Sequence, residues 1–400
     1  MRHAENEFLT RIGPGTPAGA LLRRYWHPVA VAGELTDEQP TKRVRILGED
    51  LVVFKLPVGS GETQPRYGLV DEQCQHRKAS LFYGKVECEG IRCPYHGWKY
   101  DLHGNCLETP PEPPEWAYKN EIKQPAYPVQ KLAGLLFAYM GPVPAPELPR
   151  WDVLVREDGK RWITIESLLE CNWLQPMENS VDPSHLYWLH GDTARIGEGI
   201  AQYNETHEFI PFEYGIYKRR IYPGKTPGDP PLVDEHPLIF PTILRIVTPA
   251  AGGRKNGYRH ALQIRVPVDD THTQVYRVNF VPSVNERSPA DQDPPHEYRA
   301  NKDENGNYYL HIVGAQDAMA WETQGALTDR TKEHLGYADR GIVMLRKLLK
   351  EQIEIVQEGG EPMGLIRDPA KNKMIHIAVM NEKIGLPRTV APDNGLQAAS

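Results

Sequence analysis

The chain has 400 residues, 40% of them hydrophobic, and a formal net charge of −7. That length can bury one large core or two moderate ones, and the negative balance argues against nucleic acid or a polybasic membrane patch as partner. There is no apolar run near the length of a membrane span, Met1 to Gly15 lacks a signal-peptide core, and five cysteines make no disulfide framework in so long a chain. A soluble, cytoplasmic protein with free thiols is expected.

Residues 1–34 are expected to form a helical segment that packs on a later domain. Arg43 to Phe54 and Tyr67 to Asp71 then read as strands. Next come Cys74-Gln75-His76 and Cys93-Pro94-Tyr95-His96-Gly97-Trp98, separated by the glycine-punctuated, strand-like segment Arg77 to Arg92. Two thiolates and two imidazoles from two short loops suit a [2Fe–2S] centre in which imidazole replaces thiolate on one iron and raises the potential. A structural zinc site takes the same ligand types. Zinc fingers, however, usually group Cys with Cys and His with His, with the histidines on a helix. Here each cysteine has its own histidine, and Pro94 and Gly97 shape the second loop tightly. Cys74, His76, Cys93 and His96 are therefore expected to hold a Rieske cluster, leaving Cys88, Cys106 and Cys171 as free thiols.

Two proline-rich stretches, Glu108 to Glu115 and Gly141 to Pro149, lie beyond the second Cys-His loop. The later one comes after the apolar run Leu132 to Met140, which reads as the last strand of a β domain covering residues 35–145. Residues 146–385 form the second domain, and residues 386–400 a polar tail. Ser167 to Met177 reads as helical. Leu262, Ile264, Val266 and Val268, then Tyr276, Val278 and Phe280, alternate as strands do, with Asn256-Gly257 as a type I′ hairpin signal. Pro223 to Pro237 and Pro282 to Pro295 read as polar loops. Asp339 to Val356 reads as an amphipathic helix with Ile342, Leu345, Leu348, Leu349 and Ile353 on one side. Antiparallel sheet with segregated helices makes the fold α+β.

A cluster stores an electron without showing where it goes. Asn179-Ser180-Val181-Asp182-Pro183-Ser184-His185, with His190 after a four-residue gap, offers a sink. Ferrous iron that activates dioxygen is commonly held by two histidines and a carboxylate, leaving open positions. Residues five apart lie about 140° apart on a helix, so the gap requires a helix end or distortion. Asp182-Pro183 suits a helix start and Gly191 a stop, giving a two-turn helix with ligands near both ends. For the carboxylate, Asp317 lies where the strand-like Tyr308 to Val313 meets a helical pattern. Asp192, Asp234, Asp329 and Asp339 are rivals on pattern alone.

With these motifs in place, the chain resembles the oxygenase (α) component of Rieske non-haem iron oxygenases over nearly its whole length. It is most similar to the phthalate dioxygenase-like branch. Asn179-x2-Asp182-x2-His185-x4-His190, Arg24-Tyr25-Trp26, Gln316-Asp317, Gln324-Gly325 and Asp329-Arg330 carry the likeness. Phe8-Leu9-Thr10-Arg11 and Arg24-Tyr25-Trp26-His27-Pro28 further resemble O-demethylases of lignin-derived aromatics within that branch. The resemblance implies a β-sandwich Rieske domain joined to a helix-grip catalytic domain with a curved antiparallel sheet, and Asp317 as the third iron ligand. It implies trimers or stacked trimers, in which Asp182 joins His185 to a Rieske histidine of the next subunit, with Asn179 near the iron. It further implies electrons from NAD(P)H through a separate ferredoxin or reductase, and O2 with an aromatic substrate. O-demethylation of a methoxylated aromatic acid is the first expectation, and cis-dihydroxylation of an aromatic carboxylate the alternative. A bare electron carrier would need little more than the cluster domain. Alternation puts Tyr217, Arg219 and Ile221 on one strand face, making Arg219 a candidate for a substrate carboxylate, or else a solvated cation or ion-pair partner.

Overall fold

Short strands joined by tight turns build the first third of the chain, and one long twisted sheet with a few helices builds the rest. The computed structural model describes residues 1–59, 63–113, 115–190, 205–223, 228, 231–250 and 257–379. The expected 386–400 tail lies outside them. Two helices come first, α1 (His3–Thr10) and α2 (Pro17–Leu22); Thr16 caps the second by accepting from the Gly19 amide. Strand β1 (Trp26–Val31) then pairs with a strand more than a hundred residues later. The sheets of the first unit thus begin ahead of residue 35.

The run from Arg43 to Phe54 is a hairpin, not one strand: β2 (Thr41–Ile46) and β3 (Glu49–Lys55). They turn at Leu47 and Gly48, both at positive φ (50° and 79°), the backbone that a two-residue hairpin with native twist requires. With β4 (Tyr67–Asp71) and β9 (Ala126–Tyr127) they make one four-stranded sheet. A second sheet holds β5 (Lys85–Glu87), β6 (Gly90–Arg92), β7 (Lys99–Tyr100) and β8 (Cys106–Glu108). β10 (Val129–Leu132) and β11 (Leu135–Tyr139) close a third sheet with β1, in the order β1-β11-β10. Gly134, at their turn, faces Pro294 so closely that an added Cβ would lie 2.4 Å from its ring, so the two units touch there backbone to ring.

The second unit opens with α3 (Asp152–Val155), β12 (Gly159–Glu166), α4 (Leu174–Ser180) and α5 (His185–His190). Ser167 to Cys171, expected to be helical, is not. Leu169 exchanges backbone hydrogen bonds with Thr273, and Asn172 Oδ1 accepts from the Leu174 amide, so the helix starts only at Leu174. Then come β13 (Thr206–Phe212), β14 (Gly215–Tyr222), β15 (Leu232–Ile239), β16 (Ile243–Pro249), β17 (Tyr258–Asp269), β18 (His272–Pro282) and β19 (His296–Arg299). Their sheet runs β13-β14-β15-β16-β17-β18-β12-β19, antiparallel except for the β12–β19 pair. β15 takes the second half of the expected Pro223–Pro237 loop. Pro237 is tolerated because β15 pairs with β16 only from Leu238 onward. β16 and β17 pair antiparallel as expected, and Gly257 has φ 85°, but Asn256 lies outside the described residues.

Helix α6 (Val313–Glu322) begins where a strand was expected to end, and α7 (Arg340–Gln357) buries Leu345, Leu349, Ile353 and Val356. Among the described residues no helix is long and apolar enough to cross a membrane. Fold class is α+β, as the alternation implied.

One buried ionic knot ties α4 to the rest. The Glu178 carboxylate accepts from Arg330 Nε and Nη2 at 3.0 and 2.7 Å and from Arg346 Nε at 2.6 Å. Arg330 also donates to Asn6 of α1 at 3.2 Å, and Arg346 to Glu333 at 2.8 Å. Glu178 is 6% exposed and Arg330 1%. Removing the shared carboxylate strands the buried Arg330 guanidinium and leaves Arg346 to Glu333 alone, so Glu178→Ala is expected to lose about 3–5 kcal/mol of stability in a denaturant titration. A loss under about 1 kcal/mol would show that the knot is not structural.

Candidate active site

Each Cys-His loop is closed by backbone bonds around its own ligand pair. Cys74 N donates to Ala79 O at 2.9 Å and Lys78 N to Cys74 O at 2.9 Å; Cys93 N donates to Trp98 O at 2.8 Å and Gly97 N to Cys93 O at 3.1 Å. Lys78 (φ 60°) and Gly97 (φ 76°) make the tight reversals. The loops meet with the His76 and His96 rings 4.6 Å apart and the two cysteines buried side by side. Hydrogen bonding from the Cys93 thiol outweighs burial and, with Tyr100, pulls the Cys74 thiol down to about 6. Cys93 is raised in turn by Cys74 and by burial. The Tyr100 hydroxyl lies 3.3 Å from Cys74 Sγ.

Two supports escaped the sequence reading. Trp98 of the second loop stacks on His76 of the first, 4.4 Å between centroids and 6° between planes. Buried Gln124 accepts from the Gln75 amide at 3.1 Å and donates to the carbonyls of Asp71 and Gln73. The Trp in Gly97-Trp98 was part of the motif, whereas nothing local marks Gln124. The cysteines are sealed and the histidines half-buried, so the imidazole end of the pair looks outward.

The second centre forms where α5 meets α6. Helix α5 starts at His185, two residues later than expected, because Asp182 Oδ1 accepts from the Ser184 amide at 2.8 Å and holds the chain in a turn. Asp182 N in turn donates to the Asn179 carbonyl at 3.1 Å. His185 and His190 occupy opposite ends of the six-residue helix, rings 5.5 Å apart. Asp317 is the fifth residue of α6, not its first turn. One ligand atom each from His185, His190 and Asp317 lie within 4.8 Å of one another.

His190 is gripped twice by α6: Nε2 lies 3.1 Å from Asp317 Oδ1, and Nδ1 2.6 Å from Gln316 Oε1. Gln316 Nε2 donates to Leu310 O at 2.7 Å, so its oxygen faces His190 and Nδ1 carries the proton. Nε2 is then the nitrogen left for a metal. His185 Nδ1 sits 3.5 Å from Asp182 Oδ2, beyond a formal hydrogen bond, and is buried. Burial lowers the His185 imidazole, favouring the neutral ligand form. Burial would raise Asp317, but His190, His185 and Arg265 hold it below the ordinary carboxylate range. Among the described residues this trio is the group suited to a mononuclear metal. Two imidazoles and one buried carboxylate, brought together by two neighbouring helices, fit ferrous iron.

Of the other expected residues, Asn179 offers its carbonyl to Asp182, and no hydrogen bond joins its side chain to the trio among the described residues. Arg219 is not brought to the centre. β14 buries Ile216, Lys218, Arg220 and Tyr222 and turns Tyr217, Arg219 and Ile221 outward. Arg219 pairs there with Glu235 and, at 3.5 Å, with Glu208. The alternation was right and the face was wrong.

Residues 25–130 match the Rieske [2Fe-2S] domain family, and residues 296–384 the family described as LigXa C-terminal domain like. The chain is 38% identical over 390 residues to the 5,5′-dehydrodivanillate O-demethylase oxygenase subunit of Sphingobium sp., covering 94% of this chain and 86% of that protein. It belongs to the Rieske non-haem iron oxygenases. Other relatives are phenoxybenzoate dioxygenase subunit alpha of Ectopseudomonas oleovorans, 35% identical over 89% of this chain and 87% of that one, and the phthalate 4,5-dioxygenase oxygenase subunit of Pseudomonas putida, 30% identical over 90% and 88%. Pseudomonas putida CBB5 NdmA, solved with caffeine, shares the fold at a TM-score of 0.62 and 23% identity, covering 86% of this chain and 94% of that one. Rieske oxygenase subunits use a [2Fe–2S] cluster, mononuclear iron and electrons from an external reductase.

Gln316 orients His190 without competing for a metal. Gln316→Leu is expected to weaken ferrous-ion affinity about 10–100-fold in a chelator competition while the visible spectrum of the cluster stays unchanged. Unchanged affinity would mean that Asp317 alone sets the ring.

Proposed function

We propose that this Rieske oxygenase subunit O-demethylates a methoxylated aromatic acid. The observation that carries the reading is the 38% identity, across 94% of the chain, to a protein named as an O-demethylase oxygenase subunit, joined to the α5–α6 trio. In this reading Cys74, His76, Cys93 and His96 hold the cluster, and His185, His190 and Asp317 hold the iron. Together these groups supply stored electrons and dioxygen activation, so that one oxygen atom enters a methoxyl C–H bond, the other leaves as water, and the resulting hemiacetal sheds formaldehyde from a phenol. Two electrons and two protons per turnover balance the reaction. The electrons come from NAD(P)H through a separate ferredoxin or reductase.

The protein's own groups hold and couple the two centres. Gln316 and Asp317 fix the His190 ring, and Trp98 fixes His76 by stacking. Asp182 keeps one oxygen near His185 Nδ1 with its side chain 25% exposed. Burial would raise that carboxyl, but His185, Lys218 and the Ser184 amide hold it low, so it stays an acceptor. Within the chain no hydrogen bond joins Asp182 to His76 or His96 among the described residues. A ring of three subunits would let the outward Rieske histidines of one copy donate to Asp182 of the next, with Asn179 flanking the iron.

The second reading is cis-dihydroxylation of an aromatic carboxylate, favoured by likeness to proteins named phenoxybenzoate and phthalate dioxygenases. A single turnover separates the two. Reduced, iron-loaded protein given oxygen and methoxylated aromatic acids is expected to yield formaldehyde and a phenol lacking one methyl. A product that gains two oxygens and two hydrogens would overturn demethylation in favour of the dihydroxylase.

A further inference from the structure

Strand β14 turns two cations inward side by side. Lys218 is 2% exposed and Arg220 1%. Lys218 Nζ donates to the main-chain carbonyl of Asp182 at 3.3 Å, which sets this face of the sheet against the entry to α5. Arg220 gives Nη2 to Asp234, its cross-strand neighbour on β15, while among the described residues its buried Nε and Nη1 have no hydrogen-bond partner, the Tyr222 hydroxyl and Glu205 Oε2 nearby being likewise unpaired. A guanidinium cannot shed its charge, so those nitrogens leave three of its five N–H donors unsatisfied. Buried donors are costly to leave unpaired, and a built site for an acceptor is the economical explanation. Arg220 lies within electrostatic range of His190.

The charges around this patch leave room for an anion. Lys218, Arg220 and Arg265 face Asp182, Asp234, Asp317 and Glu205, the last bonded to His207 at 2.7 Å. Burial holds His236, opposite Lys218 on β15, neutral. With Lys218 charged, a bound ferrous ion would turn that slight negative balance into one unmatched positive charge. Burial and Arg220 push the Lys218 amine down to about 7, and an arriving carboxylate would draw it back to its charged form.

We propose that Arg220, with Lys218 beside it, anchors a carboxylate of the aromatic substrate and selects acids over neutral aromatics. The proposal rests on the oxygenase reading above, and it deepens that reading by naming the group that recognises the ring. The test uses the iron-loaded full chain without turnover. Calorimetry compares 3-methoxybenzoate, 4-methoxybenzoate and vanillate with their methyl esters. At least one acid is expected to bind about thirtyfold or more tightly than its ester. Arg220→Met is expected to erase that preference and leave ester binding unchanged within a few-fold, and Arg220→Lys to restore part of it. Equal binding of acid and ester by the unmodified protein, or binding of neither, overturns the proposal without any variant needing to fold. So does an Arg220→Met protein that keeps its cluster spectrum and its preference. Binding of acid over ester with no phenol formed on turnover would refute demethylation and leave the anion site standing.

Discussion

Two adjacent residues on one helix, gripping one imidazole, set the geometry of the His185, His190 and Asp317 group. Helix α5 is six residues long and carries both histidines, yet a helix that short has little stability of its own. Its C-terminal end is fixed by Gln316 and Asp317 on opposite nitrogens of His190. Its N-terminal end is fixed by the Asp182 turn and, through α4, by the Glu178 knot to Arg330 and Arg346. Arg265 crosses between these parts. It donates to the Pro176 carbonyl and the Ser180 hydroxyl of α4, and lies 5.0 Å over the Trp321 ring of α6. The sheet thus holds the helices that carry His185, His190 and Asp317 in one geometry.

That arrangement puts several charges where water does not reach. Isolated buried charges are costly, and the interior is tolerable because cations and carboxylates interleave. Among the described residues Arg265 has no ion-paired carboxylate of its own. Burial lowers it to about 10, and the nearby Asp317 supports its charge. The first unit follows the opposite plan: its cysteines are sealed and its histidines look outward, the disposition needed to pass an electron across a surface.

The Rieske domain was plain in the sequence because Cys74, His76, Cys93 and His96 lie in two short loops whose turn residues, Pro94 and Gly97, are part of the motif. His185 and His190 were legible for the same reason of contiguity. Asp317 was one of several rival acids on pattern alone, since its contact with His190 spans 127 positions, and only the family resemblance singled it out. Gln316 stood beside it unread. Arg219 shows the limit most clearly. Period two tells which residues share a face, but nothing local tells which face is covered, and β14 buries the even-numbered side, so the inward cations are Lys218 and Arg220. Ser167 to Met177 failed only in its first part: Leu169 bonds to Thr273 of β18, the Asn172 side chain accepts from the Leu174 amide, and the helix begins only there.

The most direct test of the account is an iron count. Protein reconstituted with iron and sulfide is expected to hold one iron per chain beyond the two of its cluster. Asp317→Ala is expected to lose that one alone, with the visible cluster bands and acid-labile sulfide unchanged. An Asp317→Ala protein that keeps the extra iron would contradict the assignment of the α5–α6 trio as the oxygen-activating centre.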